Sequence, residues 1–191
     1  GSQTPSTPQT PSGTTVPPSG ARIRLCIEAD QRAGSLLDAL ERVNGWATFY
    51  CTPEFMENNG DLLRRLAVSG SAVGLLLDPE DPAESLDQQL KRGNDALYRA
   101  TLTRTRLVYA DGGEETLQAL EQLGYSCLTP DMDRTDYKLE SAANAAALLK
   151  RVSARRRDVS VWLGTTASAA GVKEFVSSAQ REGHYCRAMT E

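Results

Sequence analysis

From Ala21 to the end of the chain one pattern recurs, and it restricts the fold more than anything else in the sequence. A short apolar run rich in β-branched or aromatic residues is followed by a longer stretch of helical period. The runs read as strands are "IRLCIEA", "WATFYC", "SAVGLLL", "RTRLVYA", "YSCLTPD", "VSVWLG" and "YCRAM". Between them lie apolar stripes: Leu36, Leu40 and Val43; Leu63 and Leu66; Leu86, Leu90 and Leu97; Leu117, Leu120 and Leu123; Leu148, Leu149 and Val152; Val172, Phe175, Val176 and Ala179. Such spacings keep one helix face apolar. Strict strand–helix alternation requires right-handed crossovers and a parallel sheet, either a barrel or a doubly wound sheet. Both place their chemistry at the C-terminal ends of the strands.

Local signals support the reading. In "CTPE" Thr52 is placed to cap a helix and Pro53 to take its first position, and in "DPAE" Asp81 and Glu84 form a pair of capping-box type. Gly45, Gly70 and Gly124 each stand just ahead of a strand, as helix stops do.

Residues 1–20 differ in kind. The opening Gly-Ser has the form of a cloning scar, and "QTPSTPQTPSGTTVPPSG" carries no charge, no aromatic residue and one aliphatic side chain, Val16. This Pro/Thr/Ser composition reads as an extended, solvated linker of the kind found in surface stalks. It points to an extracellular or cell-envelope domain, 21–191, and leaves room for an upstream membrane anchor. Within the sequence itself no stretch approaches the ~20 apolar residues that span a bilayer.

The formal charge is −4. Basic residues are scattered apart from "ARRR" at 154–157, which ends a helical stretch where cations complement the macrodipole, so nucleic acid is not expected as a partner. Cys26, Cys51, Cys127 and Cys186 show no C-x-x-C spacing and sit in apolar runs, which reads as buried structural thiols. The single histidine, His184, precedes the last strand, at the end away from the chemistry, and reads as a loop or surface residue.

At the C-terminal strand ends the sequence supplies Glu28 and Asp30, Thr52, Asp78 with Glu80 and Asp81, Asp111, Asp131 with Asp133, and Gly164 with Thr165. Hard cations accept oxygen ligands alone, so these carboxylates can in principle hold a metal. Asp78, Asp81 and Asp111 also each lie ahead of a helix, where an aspartate caps backbone N–H groups. No histidine stands near enough in this arrangement to serve a serine, cysteine or lysine nucleophile.

The order of segments over residues 22–191 resembles the polysaccharide deacetylase family, the NodB-homology domain, which implies an irregular TIM-like barrel of about seven βα units. "WATFYCTPEFMENNGDLLRRLAVSGSAVG" is similar to that family's "ATFF" strand, the helix after it and the start of the third strand. "LEQLGYSCLTPDMDRTDY" resembles its "LGY" strand and "W-D-x-D-x-x-D-W" stretch, with Asp131, Asp133, Asp136 and Tyr137 in the corresponding places. "EFVSSAQREGHYCRAMTE" looks like its last helix and strand.

The same resemblance implies a degenerate catalytic site. Where the family writes "T-F-D-D-G-P", this chain has "C-I-E-A-D-Q", with Glu28 at the general base and Ala29 at a metal ligand. The two metal histidines of "H-x-x-x-H" fall on Leu76 and Glu80, the arginine that orients the base on Val108, and the late "L-H-D" histidine on Gly164. A catalytic metal needs three protein ligands and an open position, and aliphatic side chains coordinate nothing. The expectation is therefore no metal, no cofactor and no family-type deacetylation. What remains is a cell-surface domain that binds cell-wall glycan or contacts a surface protein, with Glu28, Asp30, Tyr109, Asp131 and Tyr137 as candidate ligand contacts. Two alternatives stand beside it. One is a hydrolase of N-acetylated glycans in which Glu28 is the base, Asp131 or Asp30 its partner, and Glu80 with Asp78 hold a cation. The other is a scaffold without a ligand.

Overall fold

Each apolar run has two faces, and both are used. In Arg22–Glu28 the residues Ile23, Leu25 and Ile27 are buried in the main core, which also contains Leu36, Leu40, Phe175 and Val176 of two helices. Cys26 belongs to a second, smaller cluster with Tyr50, Leu107, Leu128 and Trp162. Side chains alternate along a strand, so one face of the sheet packs under helices and the other looks into a lumen.

The computed structural model describes residues 20–133 and 137–191; the linker read at 1–20 lies, but for Gly20, outside them, as does Asp136. In chain order the elements are β1 (Arg22–Glu28), α1 (Ala33–Arg42), β2 (Thr48–Cys51), α2 (Pro53–Asn58), α3 (Gly60–Val68), β3 (Ala72–Leu77), α4 (Leu86–Thr101) and β4 (Leu107–Ala110). There follow α5 (Glu114–Gln122), β5 (Ser126–Cys127), β6 (Met132–Asp133), α6 (Ala142–Arg155), β7 (Val159–Gly164), α7 (Ala169–Arg181) and β8 (Tyr185–Cys186). The strands pair in the order β5-β4-β3-β2-β1-β7-β6, with β8 beside the start of β1. Every pairing among them is parallel. This is the expected α/β class, a parallel sheet curled into a half-barrel with helices outside it.

The run "YSCLTPD" is not one strand. Only Ser126–Cys127 of it forms a strand, β5, paired with β4; β6 follows the run at Met132–Asp133 and pairs with β7, on the opposite edge of the path. Pro130 lies between them and has no N–H to give a ladder, so the chain leaves one edge there and crosses the open side to the other.

The caps are those of the sequence in one case and not in another. Thr52 Oγ1 accepts from the Phe55 N–H at 3.1 Å ahead of Pro53, as read. For α4 the capping box is Ser85 with Gln88, four residues beyond the expected Asp81 and one beyond Glu84. Asp78 and Asp81 instead close turns inside the β3–α4 loop, accepting from the N–H groups of Glu80 at 2.9 Å and Ala83 at 2.8 Å. Asp111 caps nothing; the cap of α5 is Gly113. His184 lies in the loop ahead of β8, as read, but is not free at the surface. Its side chain is 12% exposed, its Nδ1 accepts from the Ala21 N–H at 2.9 Å, and its Nε2 lies 3.0 Å from Ser153 Oγ. It clasps the first residues of the sheet to α6.

Candidate functional site

The lumen is lined by every second residue of its strands. Register places Cys26 beside Thr48 and Trp162, Glu28 beside Tyr50, Tyr50 beside Gly74, and Leu76 beside Tyr109. Three of these are aromatic, and they meet although β4 and β7 are separated in the sheet by β3, β2 and β1. Tyr109 and Trp162 have ring centroids 4.3 Å apart and tilted, Tyr50 stands edge-on to Trp162 at 5.8 Å, and Tyr50 and Tyr109 are 6.3 Å apart. The rings fill the interior from wall to wall. Room for Tyr50 comes from Gly74, where a Cβ would lie 2.6 Å from the tyrosine ring. Burial pushes the Tyr50 phenol well above the usual tyrosine range and the Cys26 thiol well above the usual cysteine range, so both stay protonated. The sequence carried a signal for this group: in "VSVWLG" and "WATFYC" a period of two sets Ser160, Trp162 and Gly164, or Thr48 and Tyr50, on the face opposite the helices.

A cleft of about 710 Å³ opens at the C-terminal ends of β2, β3 and β4. Leu76, Asp78, Glu80 and Asp111 line it, joined by Glu54 and Glu84 from its sides and, among the described residues, by one guanidinium, that of Arg92. Arg92 is bound between Glu84, at 2.8 Å, and Glu57, at 2.6 Å, which ties α4 to α2. That guanidinium holds the Glu57 carboxyl below the ordinary glutamate range. The loop over the cleft is held by Gln89, which is buried: its Oε1 accepts from the Asp78 N–H at 2.8 Å, and its Nε2 donates to the carbonyls of Asp78 at 2.7 Å and Glu84 at 3.1 Å. Nothing in the chain before α4 marks Gln89; only the folded loop gives it partners.

The residues named from the sequence divide. Leu76 and Glu80 line the cleft, as do Asp78 and Asp111. Glu28 is half-buried at the end of β1, facing the lumen beside Tyr50. Ala29 and Val108 face the other way and belong to the helix-side core, so the side chains that look into the lumen on those strands are Glu28 and Tyr109. Gly164 sits at a register shift between β1 and β7 with φ of 55°, a left-handed backbone that side chains resist. Asp30 is engaged by its own turn: it accepts from the Arg32 N–H at 2.8 Å and pairs with the Arg32 guanidinium at 3.0 Å, and Arg32 also donates to the Thr165 carbonyl.

Two candidate ligand contacts are elsewhere. Asp131 lies ahead of β6, level with Ser160, the second residue of β7; it accepts from the Ser160 N–H at 2.8 Å and pairs with Arg157 at 3.4 Å. It therefore belongs to the beginning of β7 and not to the C-terminal rim, because after β5 the chain crosses to the start of β7. Tyr137 packs against the helix-side core with Arg151 of α6 5.8 Å from its ring. Tyr109 does face the lumen, but with Trp162 against it.

A metal of the kind the resemblance implies finds no fitting donor set. Among the described residues no three histidine, cysteine, aspartate or glutamate side chains converge in a way that could hold an ion. The cleft carboxylates are spread along a loop and its flanks.

With this geometry established, the chain compares with solved structures as follows. It is similar to the peptidoglycan deacetylase PdaC from Bacillus subtilis, at 18% identity over 89% of this chain and 88% of that one, with a TM-score of 0.71. It is similar to the polysaccharide deacetylase Bc1974 from Bacillus cereus, at 16% identity over 90% and 92%, with a TM-score of 0.70. It is equally similar to a mutant of BA3943, described as a pseudoenzyme of carbohydrate esterase family 4, at 17% identity over 90% of this chain and 67% of that one, with a TM-score of 0.70. No protein-family model matches the chain, and no curated protein matches it in sequence. The protein thus has the fold of the family 4 carbohydrate esterases, the polysaccharide deacetylases, at low sequence identity.

Proposed function

We propose that this domain is a non-catalytic relative of the polysaccharide deacetylases, displayed at the cell surface, which holds a cell-wall glycan in the cleft above β2, β3 and β4. The observation that carries the reading is the make-up of that cleft. The cleft offers hydrogen-bond acceptors in Asp78, Glu80 and Asp111 and an apolar floor in Leu76, within a volume suited to a sugar ligand.

The chemistry supports binding over turnover. At the positions that the family resemblance assigns to metal ligands stand Ala29, Leu76 and Glu80, and only the last has a donor atom. Activating a water at neutral pH by a metal requires that the ion be held, and protonating a leaving amine requires an acid that Gly164 does not supply. The carboxylate pairs of the hydrolytic alternative are also poorly matched to the fold, since Asp131 lies by the start of β7 and Asp30 is paired with Arg32.

Carboxylates outnumber cations in the cleft, and its one guanidinium is already paired. Hydroxyl donors and the ammonium of an amino sugar are the groups such a surface attracts. The test is calorimetric titration with N-acetylglucosamine oligomers, glucosamine oligomers and soluble peptidoglycan fragments, run beside an acetate-release assay with and without zinc. Saturable binding that weakens about tenfold in Asp78→Asn or Glu80→Gln, without acetate release, is the expected result. Metal-dependent acetate release, or hydrolysis abolished by Glu28→Gln, would replace this reading with the enzymatic one. Failure of every glycan to bind would leave the protein-contact role.

A further inference from the structure

Toward the opposite end of the strands, three arginines open onto one cavity. Arg22 and Arg24 lie on the first half of β1 and Arg187 directly follows β8; with Ala72 and Met189 they line a space of about 490 Å³. Among the described residues no carboxylate lines it, in a chain whose formal charge is −4.

The arginines are held but not neutralised. Arg187 lies 4.5 Å from the centre of the Trp46 ring and 5.0 Å from that of Tyr185, and Arg22 lies 5.6 Å from the same Tyr185 ring. Rings position a guanidinium without cancelling its charge. Arg24 Nε is buried and has no hydrogen-bond partner. Among the described residues none of the three forms an ion pair. The neighbouring acids are committed elsewhere: Asp158 accepts from the Arg22 backbone N–H at 2.9 Å, Asp131 is taken by Ser160 and Arg157, and Glu191 accepts from the Arg106 N–H at 2.7 Å. A buried donor without a partner and three guanidinium groups without an ion pair among the described residues are both unfavourable. Both are relieved by one oxyanion placed among the three guanidinium groups.

We propose that this cavity binds a phosphoryl group carried on a sugar-sized ligand. Planar guanidinium forks match phosphate oxygens, three of them suit a group of more than one negative charge, and the space exceeds what a bare phosphate fills. The site is separate from the C-terminal cleft and does not depend on it.

The test uses the full chain with three probes: inorganic phosphate, a hexose 6-phosphate, and a poly(glycerol phosphate) polymer, followed by calorimetry and thermal melting at several salt concentrations. Saturable binding with one site per chain, weakening with salt, is expected. Arg24→Gln and Arg187→Gln should each weaken it by about tenfold or more, whereas Arg181→Gln, on the exposed face of α7, should leave it unchanged. Without ligand, Arg24→Gln should melt no lower than the parent, since it removes an unpartnered buried donor. Binding by the hexose phosphate is the supporting result, and binding by the polymer alone, whose phosphodiesters carry one charge each, would overturn the proposal. The proposal is overturned if none of the probes binds at about 10 mM, if both variants bind as the parent does, or if Arg181→Gln weakens binding equally.

Discussion

The rings of Tyr109 and Trp162 lie 4.3 Å apart although they come from strands four positions apart in the sheet order, so the two walls of the half-barrel touch through its middle. In a fold whose chemistry belongs at the mouth of that lumen, this contact gives the interior a packing role.

Trp162 is 5% exposed, and removing its ring leaves Tyr50 and Tyr109 without their common neighbour. Trp162→Ala should cost about 3–5 kcal/mol in urea unfolding. A loss below ~1 kcal/mol would mean that the lumen collapses freely and that the three rings do not act as a structural unit.

Gly74 is where β3 makes room for Tyr50: a Cβ on its backbone would stand 2.6 Å from the ring. Gly74→Ala should destabilise by about 1–3 kcal/mol through overpacking, and pairing it with Tyr50→Phe should not relieve the loss, because the clash is with ring carbons and not the hydroxyl. Full recovery in that double variant would contradict the geometry.

Gln89 donates to and accepts from the backbone of the loop that covers the cleft. Gln89→Leu leaves the Asp78 N–H without its acceptor and should cost about 1–3 kcal/mol. Hydrogen exchange supplies a local readout: the Asp78 amide should exchange much faster, while amides in β1 keep their protection. Unchanged exchange at Asp78 would count against the latch.

Cys51 and Cys186 are buried, and burial raises both thiols from 9.0 to about 12. Their folded pKa lies above the unfolded value, so the stability they contribute is complete below about pH 9 and is lost as pH rises toward 12. Denaturant midpoints should be insensitive to these thiols at neutral pH and fall above pH 9, on the order of 1 kcal/mol per thiol per pH unit. In the native state near pH 8 a thiol reagent should label Cys127, which is half-exposed, ahead of the other three. Rapid labelling of Cys51 or Cys186 would refute their burial.

How much of this was legible beforehand follows from what each feature depends on. The apolar runs other than "YSCLTPD", the helix stripes other than that ending in the exposed Leu123, and the Thr52–Pro53 start depend on neighbours close in the chain, and they appear where expected. Capping of α4 was displaced from Asp81 to Ser85 because several polar residues in "DPEDPAES" can cap, and the choice is made by where the helix docks, not by local preference. Ala29 and Val108 were placed at the mouth by motif position, whereas their strands turn them toward the helices.

The sequence by itself determined an alternating parallel α/β fold, because hydrophobic period and strand length are local properties that survive without knowledge of any long-range contact. Only the tertiary structure decided that Trp162 meets Tyr109, that Asp131 sits by the start of β7, and that Arg22, Arg24 and Arg187 share one cavity. Those facts depend on the register and curvature of strands distant in the chain, where a shift of one residue turns every side chain to the opposite face.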